Sequence, residues 1–377
     1  MKVLMLQDTS NYAGTEAHIL TLSDALSKFD DVDVDLLVPS GSELEKRSQS
    51  MCVRCHVCGS SIMAFFFSAI ALVRRVRPDI IHAHNGRMTF IAVLAAKLLD
   101  CKVVASQHFL EPAHVAETGP LGKLKRALHQ WVGRQLDFRI CVSQSALTSM
   151  QKRRDTIAKR DSSYSVIHNG INISNVLLSV TKTRLDVRSE FGIPCSSKLI
   201  MCAARLEPEK NIDTLLDAFK LVTDAGLDIY LVITGDGSLK GALQQRIGEL
   251  GLTHVVNLAG FRRDVHSIMN ASDAFVLPAA HEPFGLVLLE AMSLGVPTLA
   301  AQSGGPLEII DAGSTGHLFR PNDAANLAEH IIGVLNDPAQ TIIMIDLAKG
   351  AVCERFSSNV MASATIRAYA ATLGLGH

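Results

Sequence analysis

The sequence predicts an α/β protein built of two Rossmann-like domains, and three observations carry that reading. Short apolar runs alternate with stretches of helical periodicity along the chain, the pattern of parallel α/β winding. A length of 377 residues suits about two domains. Charge also divides. Residues 1–165 hold 21 Lys and Arg against 16 Asp and Glu, and the remainder holds 15 against 21, so a net charge of −1 conceals halves of +5 and −6. Halves of opposite sign imply domains with different partners. Hydrophobic residues at 48% and a mean hydropathy of +0.23 imply large buried sheets.

Met1-Lys2 leads directly into Val3–Leu6 and then Asp8, too short a run for a secretory signal. The longest apolar run, Ile62 to Val73, stops at Arg74-Arg75, short of the ~18–20 residues that cross a bilayer. A cytoplasmic location is expected, and the eight cysteines then read as reduced thiols. Cys52, Cys55 and Cys58, with His56, form a C-x2-C-x2-C run. The segment alternates as a short strand, and that reading is preferred to a metal site, which needs a fourth ligand.

Val3–Leu6 predicts the first strand, Asn11 to Glu16 the loop after it, and Glu16–Phe29 a helix with Ala17, Leu20, Leu22, Ala25, Leu26 and Phe29 on its apolar positions. Strand, glycine turn and helix make a Rossmann-like opening. One glycine stands where the dinucleotide fingerprint needs three, which argues against a nicotinamide or flavin cofactor. Asp31–Val38 predicts the next strand, with Asp and Val alternating between a wet and a buried face. Ile80–Ala83, Val103–Ser106 and Arg139–Ser143 fit further strands, and Val166–Ile171 closes the first series. A second series starts at Leu199–Ala203 and continues through Ile229–Thr234, the turn Gly235-Asp236-Gly237, and Val256–Phe261. Ser303-Gly304-Gly305 opens a later helix, and beyond Glu354 the chain reads as helix to its end. The domain boundary falls near residues 172–196.

The chain is organised around His281 to Met292. Ala274–Pro278 is an apolar strand that stops at proline, and Leu286, Leu289 and Met292 recur at helical spacing up to the stop signal Gly295 and Pro297. A strand, a sharp loop and a helix start point free N–H groups at an anion. Glu282 lies in the loop and Glu290 about two turns along the helix. Eight residues of helix cover roughly 12 Å, too far for a glycosidase carboxylate pair, which works at about 5–9.5 Å. The two carboxylates therefore hold different parts of one ligand.

Glu282-Pro283-Phe284-Gly285-Leu286 followed by Glu290-Ala291-Met292, with Arg205-Leu206-Glu207-Pro208-Glu209-Lys210-Asn211 upstream, resembles the donor-site signature of the retaining GT-B glycosyltransferases of family 4. The resemblance runs from Met1 to about Arg320. It implies two Rossmann-like domains facing each other across a donor-binding cleft: an acceptor domain over residues 1–172 and a nucleotide-sugar donor domain over 173–357, with a terminal helix, about 358–377, returning to the first.

It also implies the site. Arg205 and Lys210 form a cationic clamp where charge grows on the diphosphate leaving group, and the backbone of Phe284, Gly285 and Leu286 completes the anion site. Glu290 accepts hydrogen bonds from the donor ribose, Glu282 contacts the transferred sugar, and Phe261 and Arg262 lie near the base. Gly14 matches the glycine of the loop facing the diphosphate. His108 matches a histidine near the donor sugar, with His18 and Glu16 weaker candidates beside it. The family usually shows two glycines where this chain has Ala13-Gly14, and Asp where it has Asn172. A retaining transferase of this kind reacts on one face of the sugar, the departing phosphate taking the acceptor proton. No cofactor or metal is expected; the Asp-x-Asp of the second strand, similar to a metal-chelating motif of another transferase class, reads as scaffold.

The donor is expected to be a UDP-sugar or GDP-sugar and the acceptor a glycan or glycolipid, such as a lipid-linked or surface polysaccharide or a lipopolysaccharide core; nucleic acid is not expected. Residues 121–160 carry ten Lys and Arg against two acidic residues, with Leu121, Leu124, Leu128 and Trp131 at helical spacing. A basic amphipathic helix of this kind suits contact with anionic lipid at the inner face of the plasma membrane, and a solvated helix packing its apolar side on the domain suits the pattern as well. A sugar-nucleotide 2-epimerase of the same architecture, a transferase acting on a small soluble acceptor and a non-catalytic nucleotide-sugar binder are the alternatives.

Overall fold

The computed structural model describes residues 1–9, 13–49, 51, 53–99, 101–110, 119–152 and 164–375; within the helix Gly119–Gln135 the side chains of 119–121, 123, 125 and 126 are outside the description. The chain forms two compact units, one from Met1–Gly170 and Ser358–His377 and the other from Ile171–Ser357.

In the first unit seven strands form one sheet: β1 (Lys2–Leu6), β2 (Asp33–Pro39), β3 (Arg54–Cys58), β4 (Ile80–Ala83), β5 (Lys102–Gln107), β6 (Phe138–Cys141) and β7 (Tyr164–Val166). Their order is β3-β2-β1-β4-β5-β6-β7, and every described pairing is parallel. The chain reverses direction across the sheet at β1 and β4, a switch point where α/β proteins place ligands beyond the strand ends. Apolar side chains pack on both sides: Val3, Met5, Val34 and Leu36 on one, Leu4, Leu6, Leu37 and Ile81 on the other. The first helix, Gly14–Leu26, is shorter than its apolar pattern implies. Phe29 lies in a turn whose amide donates to Leu26. The last helix, Ser358–Leu373, packs on Gly14–Leu26 in this unit, and its Tyr369 hydroxyl reaches His82 Nδ1 at 2.6 Å.

Asp35 departs from the expected wet face of β2. It is 1% exposed, because β2 is an inner strand with helices over both faces, and it is neutralised by a bidentate Arg54 at 3.1 Å and by His56 at 2.6 Å. Burial pushes its carboxyl up, but those partners outweigh burial and hold it below the ordinary value. The cysteine run reads as strand β3: Cys55 and Cys58 lie on it and Cys58 is buried, while Cys52 lies outside the described residues.

In the second unit six parallel strands take the order β10-β9-β8-β11-β12-β13: β8 (Lys198–Ala203), β9 (Ile229–Thr234), β10 (Val256–Gly260), β11 (Ala274–Leu277), β12 (Thr298–Ala301) and β13 (His317–Phe319). Ile200, Cys202, Leu231, Ile233, Val276 and Leu299 meet the buried face of the helix Ile212–Asp224, led by Leu215, Leu216 and Phe219. This is the second Rossmann-like unit the alternating pattern predicts. Among the described residues no single helix is long and apolar enough to cross a membrane; the apolar run Ile62–Val73 forms the helix Ile62–Val76.

Four buried histidines, His18, His82, His84 and His108, are expected to make the first unit acid-sensitive. Burial holds His18 at about 4 and His82 at about 3, and drives His84 and His108 well below the usual 6.5. A depressed histidine value means the unfolded chain binds more protons below 6.5, so the stabilisation is complete above 6.5 and is lost as pH falls towards the folded values. Each such group withdraws about 1.4 kcal/mol per pH unit in that window. Thermal unfolding of the chain at pH 7.5 and pH 5.5 is expected to show a transition several degrees lower at the acid pH. An unchanged or higher midpoint would contradict this account.

Candidate functional site

The second unit brings Lys210 and Glu282 together. Lys210 ends the short 3-10 helix Pro208–Lys210 that follows β8, and Glu282 sits in the loop after β11. Lys210 Nζ lies 2.7 Å from Glu282 Oε2, with the two side chains only 14% and 12% exposed. Asn211, in left-handed backbone at φ 53°, turns the chain into the helix Ile212–Asp224; its amide donates to Asn322 Oδ1 at 3.0 Å and to the carbonyl of Pro278 at 3.4 Å. That link ties the Lys210 turn to the start of the Glu282 loop.

The Glu282 loop is braced from behind by Ser303-Gly304-Gly305. The Gly305 amide donates to the Glu282 carbonyl at 2.9 Å, and the Ser303 hydroxyl donates to the Ala280 carbonyl. A Cβ on Gly304 would stand 2.1 Å from the Glu282 carbonyl oxygen, and one on Gly305 would stand 2.2 Å from Phe284 Cα. Only glycine permits this approach. Gly285 takes φ 105° at the junction, where continued helical backbone is impossible, so the helix begins at Leu286 and runs to Ser293. Glu290 is therefore one turn inside the helix rather than two. Phe284 is buried with its ring 6.0 Å from Phe356, and Leu286 is half-buried in the first turn, whose amides have no partner within the helix.

The remaining expected residues lie elsewhere in the unit. Arg205 is exposed and ion-paired to Glu209 at 2.7 Å, not to the Glu282 loop, and the turn Gly235–Gly237 packs against the backbone of Ala204 and Leu206 on either side of it. Glu290 Oε2 lies 3.3 Å from His266 Nε2, at ion-pair distance but off the line of a hydrogen bond; His266 Nδ1 meets Ser179 Oγ at 2.5 Å. Phe261 is 62% exposed. Arg262, expected near the base, is bound in a network of four charges: bidentate to Asp264 at 2.8 Å and to Glu190 at 2.6 Å, with Lys182 on both carboxylates. Asp264 is held down by Arg262 against the opposing effect of burial. A guanidinium so engaged has little capacity left for a base edge.

In the first unit Gly14 opens the helix Gly14–Leu26, and Asn11 and Tyr12 of its loop lie outside the described residues. Glu16 is buried and saturated, accepting from Gln7, Thr9 and the Ala13 amide, so it acts as a helix cap. His108, just past β5, is buried with Nε2 at 3.2 Å from His84 Nδ1 and its ring edge-on to His18. Burial first, then the neighbouring imidazoles of His18 and His82, keep it neutral at pH 7.

The basic run divides as well. Arg139 is buried on β6; Arg153, Arg154, Lys159 and Arg160 lie outside the described residues, as do the side chains of Lys123, Lys125, Arg126 and Leu121. Leu124 and Leu128 are exposed, and Trp131 packs with Phe90 and Lys97.

Asn211, His266, Ser303, Gly304 and Gly305 join the site without a motif that marks them. Their signals were local: an Asn after the motif lysine, and a Gly-Gly pair before Pro306.

Residues 12–175 match the family model described as Glycosyltransferase Family 4, and residues 184–350 match that of Glycosyl transferases group 1. The chain is 28% identical to N-acetyl-alpha-D-glucosaminyl L-malate synthase of Bacillus anthracis over 78% of its own length and 74% of that protein. It is 25% identical to the UDP-Gal:alpha-D-GlcNAc-diphosphoundecaprenol alpha-1,3-galactosyltransferase of Escherichia coli, over 74% and 72% of the two chains. The solved structure of HepE from Anabaena with UDP and glucose superposes with a TM-score of 0.82 at 22% identity, covering 97% of this chain and 98% of that one, which speaks to fold. The chain belongs to the group 1 and family 4 glycosyltransferases, enzymes that use nucleotide sugars, and its two Rossmann-like units are of the GT-B class.

Removing one partner of the Lys210–Glu282 pair leaves a largely buried charge alone. Lys210→Met and Glu282→Gln are each expected to destabilise the second unit by about 1–3 kcal/mol, and the double variant by less than the sum. Chemical denaturation in a double-mutant cycle measures this; strictly additive losses would contradict the coupling.

Proposed function

We propose that the chain is a retaining, metal-independent hexosyltransferase that moves a sugar from a UDP-sugar or GDP-sugar to a glycan or glycolipid acceptor. The observation that carries this reading is the Lys210–Glu282 pair, a cation and a carboxylate held together at a strand-loop-helix junction. Lys210 supplies fixed positive charge to the departing diphosphate, aided by the first-turn amides at Leu286. Glu282 contacts hydroxyls of the transferred sugar, and Glu290, beside His266, takes the ribose. Arg205 is the second cation of the clamp and exchanges Glu209 for phosphate on binding; Phe261 contributes an exposed ring for the base. In the first unit Gly14 belongs to the loop that serves the diphosphate and acceptor. His108, a neutral imidazole, hydrogen-bonds the donor sugar. With charge supplied by fixed side chains, no divalent ion is required.

The acceptor reading favours a lipid-linked or surface glycan, in keeping with the Escherichia coli relative whose name specifies a diphosphoundecaprenol substrate. Exposed apolar residues support docking on anionic lipid from the cytoplasmic side. Ile62, Met63 and Phe67 lie on the helix that ends in Arg74 and Arg75, and Leu124 and Leu128 lie on Gly119–Gln135.

Acceptor-dependent release of nucleoside diphosphate tests the chemistry. Lys210→Ala is expected to lower it at least about 100-fold with the fold retained by circular dichroism, and EDTA not to lower the wild-type rate. Near-wild-type turnover in the variant, or loss with EDTA, would contradict the proposal. For the surface, cosedimentation with phosphatidylglycerol vesicles is expected for wild type and weakened in Phe67→Asp; equal pelleting of both would sink this docking face.

A further inference from the structure

Three imidazoles far apart in sequence meet in the first unit. His18 projects from the helix Gly14–Leu26, His84 follows β4 and His108 follows β5; all three are buried, and one ring nitrogen of each lies within 4.8 Å of those of the other two. His84 Nδ1 and His108 Nε2 stand 3.2 Å apart, and the His18 ring centre lies 4.6 Å from that of His108 and 5.5 Å from that of His84. Neither ring nitrogen of His18, nor Nε2 of His84, has a partner in good hydrogen-bond geometry, the Asn169 side chain being the one polar group that acts on His18. Buried polar atoms are rarely left so. His82 supplies the contrast: its ring lies 4.2 Å from that of His84, yet both its nitrogens are engaged, one by Tyr369 and one by Ser106. His82 is satisfied within the protein, whereas His18 and Nε2 of His84 are not.

We propose that His18, His84 and His108 form a binding site for a zinc ion, with the fourth position left to water. Zinc takes imidazole nitrogens at about 2.0–2.1 Å in tetrahedral array, which sets ligand atoms about 3.4 Å apart. The His84–His108 separation already meets that spacing, and side-chain rotation within the cluster supplies the rest. Metal-bound histidines orient through their second nitrogen. Asn169 fills that role, since its side chain already interacts with His18 and its buried Oδ1 has no other partner to displace. The site contains no carboxylate ligand, and zinc there takes His108 out of reach of a sugar hydroxyl. Zinc is thus an inhibitor of transfer rather than its cofactor. That consequence rests on the role proposed for His108; the binding itself does not.

Calorimetric titration of the chelator-treated full chain with zinc, and visible spectroscopy with cobalt in its place, test the site. The expected result is one ion per chain, with cobalt d–d bands and no thiolate charge-transfer band, which separates histidine from cysteine ligation. His84→Gln and His18→Gln are each expected to weaken binding more than about 100-fold, Asn169→Ala about 10-fold, and His82→Gln to leave it unchanged. Absence of stoichiometric binding in wild type, thiolate charge transfer, or wild-type affinity in both His18→Gln and His84→Gln would overturn the proposal. Zinc bound with the expected spectrum but without inhibition of nucleoside diphosphate release would keep the site and overturn the role of His108 in transfer.

Discussion

The second unit depends on a part-buried ion pair, Lys210 with Glu282, and much of the surrounding backbone serves to keep it. Two largely desolvated charges hold together only when their geometry is fixed and their remaining polar surface is satisfied. Neither residue lies in a long regular element. Lys210 ends a single 3-10 turn and Glu282 lies in a loop, so the fixing falls to backbone contacts. Asn211 ties the lysine turn to the Pro278 carbonyl, and Gly304 and Gly305 press the carbonyls of their own loop's neighbour so closely that a single methyl group would displace it. The glycines here are packing residues: they let one loop lie directly on another.

The first unit solves a different problem, that of polar side chains within inner parallel strands. Asp35 is answered by Arg54 and His56 on the adjoining strand, and His82 by Tyr369 from the final helix and Ser106 from β5. The last sixteen helical residues thereby contribute a hydrogen bond to the core of the unit formed by the first 170. His18 on the first helix and Nε2 of His84, just beyond β4, are left unanswered. Unsatisfied polar atoms at a sheet switch point are where ligand chemistry is expected in this class of fold.

The architecture was legible in the sequence because fully buried parallel strands leave short apolar runs: Val3–Leu6, Ile80–Ala83, Leu199–Ala203 and Ala274–Leu277 all stand out against polar flanks. Element ends were less so. The first helix stops at Leu26 although Phe29 keeps the period, because Phe29 packs from a turn. Burial of individual charges was not legible at all. Alternation placed Asp35 on a wet face, and composition placed Arg139 in a basic surface, whereas an inner strand covers both. Of the site, Lys210 and Glu282 were legible as parts of one motif 72 residues apart, but their pairing with each other was not. The partners that neutralise Arg205 and Arg262, Glu209 on one hand and Glu190 with Asp264 on the other, depend on loop geometry and tertiary packing that no local pattern encodes.

The central claim is that Lys210 and the loop of Glu282 hold a nucleoside diphosphate. Isothermal titration of the wild-type chain and Lys210→Ala with UDP and GDP, each in EDTA, tests it most directly. The account predicts that one of the two nucleotides binds the wild-type chain without metal and that the variant binds it at least about tenfold more weakly, a difference of about 1.4 kcal/mol. Binding of neither nucleotide, or identical affinity in the two proteins, would contradict it.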